Sequence, residues 1–213
     1  VTAYGHSQPL QRIEVIEASH PVPDTLSERA AKRILALVGN LDADDLVICL
    51  ISGGGSSLLA LPAPGISLAN KQDINRALLK CGATIDEITC VRKHLSAIKG
   101  GRLALACTPA RLLTLAVSDV PGDDPATIAS GPTAADPSTS SEALSILQKY
   151  RLPIPSAITA WLKNPVSETP KPGDSRLCNN DYRIIASARH SLEAASRQAQ
   201  QAGFNTLLLG DDV

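Results

Sequence analysis

The chain has 213 residues, of which 44% are hydrophobic and 19% are charged, and its formal net charge is -1 at pH 7. This is an ordinary globular composition, and near-neutral charge without a block of like charges argues against a general binder of nucleic acid or membrane surfaces. The five cysteines are scattered without metal-ligand spacing, so a reduced, cytoplasmic compartment is expected. No apolar run reaches the ~18–20 residues of a membrane span.

The first half of the chain predicts alternating strands and helices from its apolar periodicity. In chain order we expect a half-buried strand at residues 12–18, a helix capped by Asp24 and ended by Gly39, a strand at Leu46–Ile51, a helix opened by Ser67 or Asn70 with Ile74, Leu78 and Leu79 facing inward, and a long helix at residues 85–107 with a kink at Gly100.

The second half continues the same alternation. In chain order we expect a buried strand at Arg111–Val117, helices at residues 141–150 and 156–163, a Pro-rich linker or exposed loop at 164–176, and a final βαβ unit at 177–213 with strands at 183–188 and 204–209 around a helix at 191–202. Strands that alternate with helices indicate an α/β fold with a mainly parallel sheet.

The most informative motif is the Gly-rich loop that follows the strand at Leu46–Ile51. It consists of Ser52, Gly53, Gly54, Gly55, Ser56 and Ser57. Glycine lets the backbone turn tightly and approach a ligand closely, so successive N–H groups can point into one concavity. The last two serines lie where a helix would begin, and free N–H groups there attract anions. The loop is a candidate cradle for a phosphate or carboxylate, and a turn without any ligand is the alternative.

A second loop, residues 118–125, leaves the other apolar strand and is rich in aspartate. Ligands of open parallel sheets gather at the carboxyl ends of the strands, so both loops face one crevice if the two strands are neighbours. Because Mg²⁺ takes oxygen ligands and neutralises phosphate charge, Asp119 is the first metal candidate, and Asp123 and Asp124 come second. Ordinary turn chemistry is the alternative explanation of each aspartate.

A third motif is basic and lies within the predicted helix at residues 85–107. With the apolar stripe packed inward, Arg92, Ser96 and Lys99 share one flank by their helical spacing. Two cations and a hydroxyl there form a suitable clamp for phosphoryl or carboxylate oxygens, and a solvated helix face is the alternative. His94 is expected to make an ordinary surface or half-buried hydrogen bond rather than to act as a general base.

Residues 51–59, 90–102 and 118–133 together closely resemble the glycerate 2-kinase family, whose members are often labelled hydroxypyruvate reductase. The likeness runs from Tyr4 to Asp211 and covers essentially the whole chain. It implies a Rossmann-like, three-layer α/β/α domain with a mainly parallel sheet. The family's smaller carboxyl-terminal α/β domain, the MOFRL domain, has no counterpart in this sequence, so residues 1–213 are expected to form an incomplete domain of the amino-terminal type.

The resemblance implies ATP-dependent phosphorylation of the 2-hydroxyl of D-glycerate, assisted by Mg²⁺. Carried over onto this sequence by residue chemistry, the Gly-rich loop and Ser96 would bind phosphate or substrate. Positive charge would come from Arg92, Lys93 and Lys99. Asp119 and Asp123 would hold the metal or orient the hydroxyl. The expected partners are therefore D-glycerate and a nucleotide.

Family members carry a lysine-bearing segment upstream of the position of Val1 and continue beyond Asp211 into the second domain. Because phosphoryl transfer depends on positioning and charge neutralisation, we expect this central portion to turn over poorly by itself. An exposed apolar sheet edge or face, and self-association into a homo-oligomer, are further expectations.

Two other functions stay open from the sequence. An NAD(P)H-dependent hydroxypyruvate reductase would favour Gly-x-Gly-x-x-Gly after a strand, and no strand here is followed by that pattern. A non-catalytic α/β remnant that retains an anion site is the other. Binding of nicotinamide nucleotide or of ATP distinguishes the enzymes.

Overall fold

The computed structural model describes residues 1–210, and its elements alternate between strands and helices. In chain order they are β1 (Thr2–Ala3), β2 (Glu17–Ala18), α1 (Thr25–Val38), β3 (Leu46–Ile51), α2 (Gly55–Leu58), α3 (Leu68–Lys80), α4 (Ile85–His94), α5 (Arg102–Cys107), β4 (Arg111–Val117), α6 (Ser140–Lys149), α7 (Ser156–Leu162), β5 (Asn180–Ala186) and α8 (Ala188–Gln201). Short 3₁₀ turns lie at Pro121–Asp123, Ile128–Ser130, Pro165–Ser167 and Ser175–Leu177. Across residues 1–210, no helix is both long and apolar enough to span a membrane.

The sheet that organises the fold has the strand order β3-β4-β5, and all its pairs are parallel. Leu46 of β3 lies opposite Arg111 of β4, and Leu112 of β4 lies opposite Asn180 of β5. Since β3 and β4 are adjacent and parallel, the loops that follow them leave the sheet at the same edge. The condition for a shared crevice is therefore met. The predicted α/β class with a mainly parallel sheet is confirmed.

The hydrophobic core lies on one side of the sheet and continues between the helices. Leu112 and Ala116 of β4 are buried on this side, and the largest cluster joins α3, α4, α6 and α7. On the opposite face of β3, Leu46, Ile48 and Leu50 are 58%, 56% and 74% exposed. An exposed apolar sheet face, expected from the sequence, is therefore observed.

Side-chain caps start α1 and α3 where the sequence predicts. The Asp24 carboxylate accepts a hydrogen bond of 2.9 Å from the backbone N–H of Ser27 at the start of α1, and α1 ends at Gly39. Ser67, rather than Asn70, caps α3. Such caps satisfy N–H groups that have no partner within the helix.

The predicted helix at residues 85–107 is wrong as one element, because α4 ends at His94 and α5 begins only at Arg102. Gly100 and Gly101 take the left-handed φ values +59° and +81°. Side-chain-bearing residues rarely adopt this conformation, so the chain turns at the two glycines rather than kinking.

Three other predictions differ from the structure. The strand predicted at residues 12–18 is reduced to the two residues of β2 that pair with β1. Residues 204–209 form no strand and pair with no strand in the described chain. Leu79 is 58% exposed because the buried stripe of α3 runs through Ile74 and Leu78 instead. The end of the predicted 177–213 unit, residues 211–213, lies outside the described residues.

The Pro-rich segment at residues 164–176 is only partly an exposed loop. Ser167 and Thr169 are buried. The Arg102 guanidinium donates a hydrogen bond of 2.6 Å to the carbonyl of Ser167, and Thr169 donates one of 3.0 Å to Asp136. These polar contacts draw residues 167–170 against the domain, so the prediction of a free linker is wrong there.

Candidate functional site

The Gly-rich loop and the loop after β4 meet in a crevice of about 260 Å³. Its walls come from residues 20–22, the Gly-rich loop, one side of α3, part of α4 and the loop after β4. Both polar loops therefore share one concavity at the carboxyl ends of β3 and β4. This is the place where open parallel sheets bind ligands.

Close approach of two other segments explains the glycines of the loop. A Cβ atom on Gly53 would collide with the carboxylate of Asp119, and one on Gly55 would lie 2.6 Å from the Cβ of Ala129. Gly54 has φ +82° and begins α2. The loop is thus packed directly between Asp119 and the turn at Ile128–Ser130.

The serines of the loop have different surroundings. Ser57 is buried and donates a hydrogen bond of 2.5 Å to the carbonyl of Pro21. Ser56 lines the crevice, and its hydroxyl lies 2.8 Å from that of Ser130. Ser52 is exposed and lines an apolar cavity beside β3 instead. Ser56 is therefore the loop hydroxyl best placed to meet a ligand in the crevice.

Lys99 lies beneath the loop rather than in the crevice. Its side chain is fully buried, and the ammonium group donates hydrogen bonds of 3.2 Å to the carbonyl of Gly55 and 2.9 Å to that of Ala129. Burial, together with the charges of Lys71 and Arg92, holds the pKa of Lys99 well below its ordinary value. Lys99 thus fastens the Gly-rich loop to the neighbouring turn.

The predicted flank of Arg92, Ser96 and Lys99 is wrong, because α4 ends at His94. Ser96 is buried and donates a hydrogen bond of 3.0 Å to the carbonyl of Leu61. It does not line the crevice. The structure therefore gives Ser96 a place in the core and separates it from the other two side chains.

Lys93 also lies away from the crevice. Its ammonium group is 2.6 Å from the carboxylate of Asp136, and both side chains are almost completely buried. The neighbouring His94 is buried as well, and its Nδ1 lies 2.9 Å from the carbonyl of Cys90. A carbonyl only accepts, so this nitrogen carries the proton. His94 therefore makes a hydrogen bond, as expected, but it is fully buried rather than at the surface or half-buried.

Arg92 is the predicted cation that the structure brings to the crevice. Its side chain is half-buried and lines the wall formed by α4. Its Nε donates a hydrogen bond of 2.6 Å to the Oδ1 of Asn75 on α3. Burial lowers the pKa of Arg92, but a guanidinium stays protonated under all ordinary conditions.

Asp119 and Asp123 have different positions. Asp119 is exposed, contacts Gly53 and lines the crevice, whereas Asp123 lies in the following 3₁₀ turn with φ +54°. Asp124 accepts hydrogen bonds from Ala126 and Thr127 in the segment that follows this turn. Residues 1–210 contain no group of three or more potential metal-ligating His, Cys, Asp or Glu side chains. Since Mg²⁺ commonly binds one or two carboxylates plus substrate phosphates, Asp119 alone still fits it.

The sequence reasoning missed the wall that α3 contributes. Gln72, Asn75 and Arg76 line the crevice. Their helical spacing reads as an ordinary solvated face, so no local signal distinguishes them. Lys71 was missed too, and it is buried with its ammonium group donating to the carbonyls of Arg92 and Leu95, each at 3.1 Å.

The chain is an α/β protein whose polar crevice, lined by Ser56, Arg92 and Asp119, lies at the carboxyl ends of parallel strands, where this class of protein places its ligands. Residues 1–163 match the family model described as a domain of unknown function, DUF4147. The chain belongs to the DUF4147 family.

The similar proteins have more specific names. The chain is 53% identical over 211 residues to an Agrobacterium vitis protein with the provisional name hydroxypyruvate reductase, covering 99% of this chain and 47% of that protein. It is 43% identical over 210 residues to the D-glycerate 2-kinase of Thermotoga maritima, covering 98% and 49%. The crystal structure of a glycerate kinase from Thermotoga maritima matches with a TM-score of 0.88 and 42% identity over 97% of this chain and 49% of that one.

The resemblance to the glycerate 2-kinase family is thereby confirmed, and the fold agrees with that of a solved member. The chain spans about half the length of the curated relatives it matches.

Proposed function

We propose that the protein is a glycerate 2-kinase, which transfers a phosphoryl group from ATP to the 2-hydroxyl of D-glycerate with Mg²⁺. The observation that carries the proposal is the contact between the Gly-rich loop and Asp119 in a fold that matches a glycerate kinase. Loop donors next to a carboxylate suit a metal–phosphate complex, because a bound metal offsets the repulsion between the carboxylate and the phosphoryl oxygens.

The residues of the chain have separate tasks in this proposal. Backbone N–H groups of the Gly-rich loop and the hydroxyl of Ser56 bind phosphoryl oxygens, while Lys99 keeps the loop in place from below. The Asp119 carboxylate holds the metal or accepts a hydrogen bond from the reacting hydroxyl. Arg92 supplies positive charge from the opposite wall. When bound, Mg²⁺ neutralises the charge that develops on the transferred phosphoryl group.

The name of the Agrobacterium relative favours a second candidate, reduction of hydroxypyruvate with NAD(P)H. This candidate has less support from the chain itself. The Gly-rich loop leads into a helix of only four residues, and the pattern Gly-x-Gly-x-x-Gly follows none of the strands. A dinucleotide site of that type uses a longer helix whose amino terminus faces the pyrophosphate.

The kinase proposal has consequences for location and assembly. ATP and small hydroxy acids are available in the cytoplasm, so a cytoplasmic location is part of the proposal, without nucleic-acid or membrane partners. Self-association remains a prediction, supported by the exposed face of β3. The mass in solution, measured by light scattering, tests it.

The deciding experiment is a product assay on the whole protein purified from its source, after its intact mass is determined. With ATP, Mg²⁺ and D-glycerate we expect ³¹P NMR to show 2-phosphoglycerate. Asp119→Asn should lower kcat by about 100-fold or more, since it removes the crevice carboxylate, and Asp181→Asn, on the exposed face of β5, should not. Oxidation of NADPH by hydroxypyruvate without phosphorylated product would favour the reductase. No turnover of either kind would favour a non-catalytic protein.

A further inference from the structure

The cations near the crevice differ in what their donors already bind. Lys99 donates to two carbonyls under the loop, and Lys93 is paired with Asp136. Arg76 lines the crevice but is 58% exposed and paired with Asp73 at 2.5 Å. Arg92 uses only its Nε in hydrogen bonds within residues 1–210, so its two terminal nitrogens remain available to a ligand.

Asn75 determines the direction of the Arg92 side chain. Its Oδ1 accepts the 2.6 Å hydrogen bond from Nε, and both residues line the same crevice. A guanidinium held at Nε presents its planar terminal N–H groups in a fixed orientation. This orientation suits the two oxygens of a carboxylate, which can bind the two terminal nitrogens end-on through paired hydrogen bonds.

The charges behind Arg92 also favour an anion. Lys71 is buried, with its ammonium group 3.1 Å from the carbonyl of Arg92. Within residues 1–210, none of Lys71, Arg92 and Lys99 forms an ion pair with a carboxylate, and their hydrogen bonds go to neutral oxygens. Lys71 is only partly protonated near pH 7, because burial lowers its pKa to about 7, and the pKa of Lys99 is lowered as well. The permanent positive charge on this wall of the crevice is therefore that of Arg92.

We propose that Arg92, oriented by Asn75, is the carboxylate subsite of the crevice, and that it selects small 2-hydroxy monocarboxylates as phosphoryl acceptors. This inference rests on the proposed kinase function. It separates the two anions, with the acceptor carboxylate at α3 and α4 and the phosphoryl group at the Gly-rich loop. Arg92 is then a binding residue and Asn75 a positioning residue.

Steady-state kinetics of four variants test the assignment. Arg92→Lys keeps the charge but loses the planar fork, so the KM for D-glycerate should rise by about tenfold or more while the KM for ATP stays unchanged. Asn75→Ala should raise the same KM by a smaller factor with little change in kcat. Asn75→Asp keeps the acceptor oxygen but places a carboxylate against Arg92, so it should raise this KM as well. Arg76→Ala removes the exposed cation of the same crevice and should raise this KM by less than Arg92→Lys does.

Two analogues of D-glycerate test whether Arg92 recognises the carboxylate of the acceptor. D-Lactate, which has the 2-hydroxyl and the carboxylate, should compete with D-glycerate, whereas propane-1,2-diol, which lacks the carboxylate, should not. Arg92→Lys should abolish the difference. Thermal unfolding of each variant, followed by circular dichroism, checks that it is folded.

The kinase proposal and the subsite can fail separately. An active wild type whose KM for D-glycerate is the same in Arg92→Lys would overturn the subsite and leave the kinase. An inactive wild type that binds D-lactate by calorimetry, with binding lost in Arg92→Lys, would overturn the kinase and keep the subsite. If Arg76→Ala raises the KM for D-glycerate as much as Arg92→Lys does, the effect is that of general positive charge in the crevice. This result would overturn the assignment of Arg92 as the carboxylate subsite.

Discussion

Replacement of Lys93 by methionine distinguishes a structural role from the catalytic one that the sequence suggested. Lys93→Met removes an ammonium group 2.6 Å from Asp136, where the two side chains are 6% and 0% exposed. The remaining carboxylate keeps hydrogen bonds from Ser138 and Thr169 but loses its counter-ion. Breaking a buried pair on one side typically costs about 3–5 kcal/mol, which is a large part of the roughly 5–15 kcal/mol that stabilises a domain.

The assay is urea unfolding at pH 7 of the wild type, Lys93→Met, Asp136→Asn and the double variant. The double variant should be less destabilised than the sum of the single ones, with a coupling of about 0.5–3 kcal/mol. Burial raises the pKa of Asp136, but the hydrogen bond and charge of Lys93 outweigh it and lower the pKa below its ordinary value. A depressed carboxyl pKa stabilises the fold above the unfolded pKa, so the contribution should disappear below about pH 4.

The activity of Lys93→Met tests the conclusion that Lys93 has a structural role. At a temperature where Lys93→Met is folded, its kcat should stay within about threefold of the wild type. Unchanged stability together with a large loss of kcat would show that Lys93 acts in catalysis, and that the ion pair with Asp136 does not describe its role.

Two further predictions concern the surroundings of the crevice. Gly55→Ala places a methyl group 2.6 Å from the Cβ of Ala129. It should therefore destabilise the fold by about 1–3 kcal/mol in urea unfolding. An unchanged free energy of unfolding would mean that the turn at residues 128–130 can move away from the methyl group at little cost. Burial, together with the charges of Arg92 and Arg102, lowers the pKa of Lys71 to about 7. The unfolded chain therefore binds this proton more tightly than the folded one, and the free energy of unfolding should rise from pH 7 to pH 9 by at most about 1.4 kcal/mol per pH unit. Lys71→Met should remove that rise. A parallel pH profile in both proteins would contradict the burial of this ammonium group.

The sequence predicts the parts of the site that depend on local chemistry. A strand followed by glycines, and a second strand followed by Asp119, are both local patterns, and the parallel pairing of β3 and β4 brings them together. The flank of Arg92, Ser96 and Lys99 fails because it assumes that a helix continues as far as Gly100. The hydrogen bond between Arg92 and Asn75 depends on how α3 packs against α4, and the spacing of residues along either helix contains no information about that packing.

Several side-chain hydrogen bonds fix the conformation of the Gly-rich loop, so a variant of these side chains can lose activity without having lost a contact with the ligand. Ser57 binds Pro21, Ser56 lies against Ser130, and Lys99 binds Gly55 and Ala129. Ala129 and Ser130 have φ values of +53° and +62°, a conformation that costs about 1–3 kcal/mol per residue and persists only when neighbouring contacts hold it. The loop therefore owes its shape to hydrogen bonds with neighbouring segments of the protein. A loss of activity in a Ser57 or Lys99 variant reports on that shape. Asp119 and Arg92 make none of these hydrogen bonds, so their variants test contact with the ligand.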